Sequence, residues 1–106
     1  MQIQWSREAL ERLADNQQHI TVDSHERAVR FIYYLIDQAE TLRDHPKMGR
    51  IIPEISNENI RELIAENYRI IYRVTEYNID ILSVFEGHRN LRSDDLGSSY
   101  LNDKKE

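Results

Sequence analysis

The sequence predicts an α+β domain, on three observations. Two apolar stripes at helical spacing follow each other in the first 45 residues. After Gly49 the pattern changes to short runs rich in Ile, Tyr and Val, separated by tight turns. A further short run, Ile3 and Trp5 alternating with Gln2 and Gln4, precedes the first stripe. The expected order is β-α-α-β-β-β-β, with an αα-hairpin packed on one face of a mainly antiparallel sheet of 4–5 strands. The opposite face is expected to be open for binding.

Ser6 reads as the N-cap of the first helix, with Glu8 in its first turn, where negative charge suits the helix dipole. Ala9, Leu10, Leu13 and Ala14 carry the helix to about Gln18, and residues 18–23 form the connection. Asp23 or Ser24 caps the second helix. Its stripe, Ala28, Ile32, Leu35, Ala39 and Leu42, runs to about Arg43 before Asp44-His-Pro46 ends it. Arg50 to Pro53 is a short strand, confined by Pro53 to an edge or a strand end. Three longer strands follow, over Ile60 to Ala65, Tyr68 to Thr75 and Asn78 to Phe85. In the middle one Tyr68, Ile70, Tyr72 and Val74 share a face, and Arg69, Ile71 and Arg73 share the other. A two-residue turn at Glu76-Tyr77 sets Arg73 opposite Asp80 as a cross-strand ion pair. A short helix is expected between Leu91 and Leu101. The domain is placed at residues 1–96, with a polar tail over 97–106.

Composition narrows the chemistry. At 106 residues there is room for one ordinary domain. The absence of cysteine removes disulfides, thiol catalysis and cysteine-ligated zinc. No His-x-x-x-His spacing occurs among His19, His25, His45 and His88, so no metal or other cofactor is expected. No apolar run reaches the roughly 20 residues of a membrane span, and no signal peptide is visible, so a cytoplasmic protein without membrane contact is expected. A net charge of −5 argues against general binding to phosphate backbones. Residues 50–92 nevertheless hold six arginines and no lysine. Arginine's planar fork suits phosphate or carboxylate, so each strand arginine either pairs internally or serves an anion site.

Several strings taken in order resemble the RelE/ParE superfamily of toxins from type II toxin–antitoxin systems. They are Trp5-Ser6, Leu42-Arg-Asp-His-Pro46, Met48-Gly-Arg50, Pro53-Glu54, Arg61-Glu-Leu63, Tyr68-Arg-Ile-Ile-Tyr-Arg-Val74 and Ile81-Leu-Ser-Val84 before Gly87. The likeness covers roughly residues 2–92 and is greatest to the ParE-like, plasmid-stabilisation branch. ParE-like members poison DNA gyrase, with no established catalytic residues. RelE-like members cleave messenger RNA on the ribosome without a metal. An antitoxin holds both inactive, so the resemblance implies a cognate antitoxin as partner, in a hetero-oligomer or beside a toxin homodimer.

The mRNA-cleaving alternative implies Arg69, Arg89 and His88 as catalytic candidates, the arginines over the scissile phosphate and the imidazole as acid or base. Glu54 is a further candidate base. Arg50, Arg61 and Arg73 are candidates for binding an anion or a target. The chain departs from the RelE type in two respects. Ile64 and Ala65 stand where catalytic lysines are expected, and the histidine follows Gly87 while Glu86 precedes it. The leading expectation is therefore a gyrase-poisoning toxin. An inactive homologue that only binds antitoxin is a further alternative.

Overall fold

A computed structural model describes residues 1–21 and 25–87, and side chains for 1–15 and 25–87 of these. The elements are β1 (Gln2–Trp5), α1 (Arg7–Thr21), α2 (His25–Glu40), a 3-10 turn at Thr41–Arg43, β2 (Arg50–Ile51), β3 (Ile60–Ala65), β4 (Tyr68–Val74) and β5 (Asn78–Glu86). The strands form one sheet in the order β1-β5-β4-β3-β2. β1 pairs parallel to β5, and all other neighbours are antiparallel. The order expected from sequence is thus observed. The cap expected at Asp23 or Ser24, the helix expected over Leu91 to Leu101 and the tail lie outside the described residues.

Ser6 caps α1 as expected: its Oγ accepts from the Ala9 amide at 3.0 Å. The same hydroxyl donates to the Leu82 carbonyl at 2.9 Å, which ties the helix start to the central part of β5. α1 runs to Thr21, about one turn beyond the expected end at Gln18. In α2, Ala28, Leu35 and Ala39 are fully buried, and the 3-10 turn buries Leu42. Leu35, Ala39 and Leu42 meet Tyr68, Ile70 and Tyr72 of β4 and Ile79, Ile81 and Val84 of β5 in the main core, with Ile3 and Trp5 packed at its margin. Fully burying an aliphatic side chain contributes about 1.5–3 kcal/mol, so this layer supplies most of the drive to fold.

The opposite face differs from expectation. Ile52 and Ile55 fold back over it and bury Ile60, Ile71, Leu82 and Phe85 in a second apolar cluster. From α1, the Arg12 guanidinium lies 4.4 Å from the Phe85 ring centre. The middle of this face is therefore covered. In β2 pairing stops at Ile51, and Ile52, on the same side of the chain as Arg50, enters the cluster before the chain turns.

A register shift between Ile71 and Tyr72 leaves Leu82 as the extra residue of a bulge, since Ile71 faces Ser83 while Tyr72 faces Ile81. The bulge shifts the alternation, so that Ile79, Ile81 and Val84 all serve the helix-side core while Leu82 and Phe85 join the other cluster. The β3–β4 turn is two residues, Glu66 and Asn67, with Glu66 at φ 56°. Gly87 ends β5 at φ 83°, a backbone region that glycine enters without steric cost, and its amide donates to the Asn67 carbonyl at 2.8 Å.

Candidate functional site

The arginines singled out in the sequence divide between the two faces of the sheet. Directly paired strand residues project to the same side. Arg50 faces Glu62 and Ile51 faces Arg61 across β2–β3, while Arg61 faces Tyr72 across β3–β4. Arg50, Glu62 and Arg69 thus share the side of the second cluster, and Arg61 and Tyr72 share the helix side.

On the first side Glu62 is the hub. Its side chain is fully buried, and Arg69 on the neighbouring strand is 3% exposed. Arg69 reaches diagonally to Glu62: its Nε donates to Oε2 at 2.7 Å and its Nη2 donates to the same oxygen. Arg50 donates from Nε to Oε1, with most of its own side chain in solvent. One carboxylate therefore joins the edge strand, its neighbour and a central strand. An arginine on a central strand cannot shed its charge, so burial demands a matched anion. Removing one member of such a buried pair costs about 3–5 kcal/mol, because the other is left charged and unpaired.

On the helix side the segment around Gly49 is held from below. Its amide donates to Tyr72 Oη at 2.8 Å, and its carbonyl accepts from Arg61 Nη1 at 3.0 Å. Tyr72 is fully buried. Burial pushes its phenol pKa up, while the Gly49 hydrogen bond and the Arg61 charge pull it down by less. A side chain at position 49 has no room: a Cβ there meets the Glu62 carbonyl at 2.5 Å and Tyr72 Oη at 2.6 Å. Met48-Gly-Arg50 is thus clamped to the sheet from both faces.

Arg73 pairs with Asp80 at 2.7 Å, in the register expected from the turn length. Glu54 lies exposed in the turn that follows β2. His88 and Arg89 lie outside the described residues, so the trio of Arg69, Arg89 and His88 is not assembled among those described. Among the described residues no cluster of three or more His, Asp or Glu is placed to hold a metal ion. No helix among them is long and apolar enough to cross a membrane.

Two further features lie at opposite ends of the sheet. Met1, Pro46, Met48 and Val74 line an open, mainly apolar cleft with Asp44, His45 and Lys47 beside them. At the Glu66 turn, Arg27, Arg30, Phe31 and Tyr34 line a more polar hollow. Nearby, Tyr68 packs against Phe31 with ring centres 4.6 Å apart and hydrogen-bonds Glu86 at 3.2 Å. Burial raises its pKa, and the Glu86 charge and hydrogen bond raise it further. The residue that sequence reasoning missed is Glu62. Its signal was present in Arg61-Glu-Leu63, a carboxylate alternating with Ile60 and Ile64 on one strand face.

The sheet order, the helical hairpin and the clamped Gly-Arg segment define a small α+β protein of the toxin class anticipated from its motifs. The profile of the ParE toxin of the type II toxin–antitoxin system, parDE, matches residues 3–91, and the chain belongs to that family. Among solved structures, a chain of the chromosomal ParDE TA system from P. aeruginosa is similar, with a TM-score of 0.71 at 23% identity. The match covers 83% of this chain and 97% of that one, and it bears on the fold. No curated protein sequence matches the chain.

Proposed function

We propose that this chain is the toxin of a type II pair, that it arrests growth by trapping DNA gyrase, and that a cognate antitoxin neutralises it in a hetero-oligomer. Family membership supports the toxin role. The observation that carries binding over bond chemistry is the burial of Arg69 against Glu62. A guanidinium that stabilises a scissile phosphate must reach it. Here the carboxylate of the same sheet already takes both Arg69 and Arg50. The net charge of −5 also opposes approach to polyanionic ribosomal RNA, whereas a protein target makes no such demand. The gyrase target places the toxin's action in the cytoplasm. Its mechanism is differential binding, in which the toxin favours one state of the enzyme over the others.

Pulse labelling in the minutes after induction without antitoxin tests this reading. DNA synthesis is expected to fall first while translation continues, and purified toxin is expected to accumulate gyrase-cleaved DNA. An early loss of translation with DNA synthesis intact would overturn the proposal in favour of mRNA cleavage. No loss of either would leave a protein that only binds its antitoxin.

A further inference from the structure

We propose that Arg50 and Arg69 form an oxyanion cradle and that the Glu62 carboxylate is its resident anion, an internal occupant that keeps the oxyanions of other molecules off this face of the sheet. The donors converge from two strands on either side of β3. Arg50 Nε meets one carboxylate oxygen, and Arg69 Nε and Nη2 meet the other. Charge-assisted forks of this kind recognise carboxylate and phosphate alike, and they select by shape and charge, not by covalent attachment. The occupant is fully buried and one arm of the cradle is deeply buried, but the Arg50 side chain is 65% exposed. The cradle is therefore closed at its floor and reachable from the β2 edge.

Deleting the carboxylate leaves two guanidinium groups aimed at a void. The buried Arg69 loses the anion it shares with Arg50, and a small external oxyanion is the species that takes that place. This inference stands on the cradle's geometry and holds whether the toxin acts on gyrase or on another target.

Glu62→Ala tests it, with formate as the probe because it has the size of the deleted group. Formate replaces chloride at constant ionic strength, and thermal unfolding is followed by circular dichroism. At formate tenfold above its Kd, the Tm of the variant is expected to rise by about 6–10 °C, while the natural chain stays within about 1 °C. Adding Arg69→Gln to the Glu62→Ala chain is expected to abolish the rise. An equal Tm in formate and chloride, an equal rise in the natural chain, or a rise that survives Arg69→Gln would each overturn the proposal. If Glu62→Ala does not fold in chloride, recovery of its helical signal in formate becomes the supporting result, and failure in both salts overturns it.

Discussion

Gly49→Ala is the substitution whose cost can be worked most directly from the structure. The added methyl stands 2.5 Å from the Glu62 carbonyl, 2.6 Å from Tyr72 Oη and 2.7 Å from Tyr72 Cε1. The first obstacle is backbone of β3 and the second is a fully buried ring, so neither side can swing away. The segment itself must lift, which lengthens the Gly49–Tyr72 and Arg61–Gly49 hydrogen bonds. Each is worth about 1 kcal/mol net, and stranding a buried amide adds about 1–3 kcal/mol. Reduced unfolded-state entropy returns about 0.4–1 kcal/mol. The expected net loss is about 2–4.5 kcal/mol, against a total of roughly 5–15 kcal/mol for a natural domain. Urea denaturation measures the loss, and a thermal midpoint lower by roughly 10–30 °C should accompany it. Tyr72→Phe removes the hydroxyl that both accepts the Gly49 amide and crowds the new methyl. The two substitutions should therefore be sub-additive, with a coupling near 1 kcal/mol. A Gly49→Ala loss below about 0.5 kcal/mol, or full additivity with Tyr72→Phe, would refute the clamp.

The Arg73–Asp80 pair is less than one-fifth exposed at each side chain and lies directly across β4–β5. A double-mutant cycle with Arg73→Ala and Asp80→Ala is expected to give a coupling of about 0.5–1 kcal/mol, and zero coupling would remove the pair from the account of register. Tyr68 and Tyr72 both have folded pKa values raised above 10.0. The folded protein then holds their protons longer than the unfolded chain does. Their contribution is complete below about pH 10 and is lost as pH climbs through the folded values. Stability should fall with pH above 10, less steeply in Tyr72→Phe; phenols that all ionise near 10 in the folded protein, read by ultraviolet absorbance, would contradict this.

What could be read without coordinates was local. Ala28, Leu35, Ala39 and Leu42 lie at helical intervals, and an amphipathic stripe needs nothing beyond its own segment to declare its face. Ser6 as a cap and the two-residue turns follow from neighbouring residues in the same way. The Arg73–Asp80 register was legible because a two-residue turn and a period of two fix which residues face each other.

Tertiary structure decided everything that needed a third segment. Arg69 was recognised as a strand arginine, but its partner lies diagonally on the next strand, and that carboxylate is shared with an edge strand twelve residues upstream. Three residues brought together by sheet order leave no periodic trace. The bulge at Leu82 and the fold-back of Ile52 and Ile55 are likewise set by competition between two cores for apolar side chains. Local periodicity therefore determined the elements and their order, while the family resemblance rested on the motif strings. Whether Arg69 meets solvent or a buried carboxylate was decided only when folding removed its water and set it against Glu62.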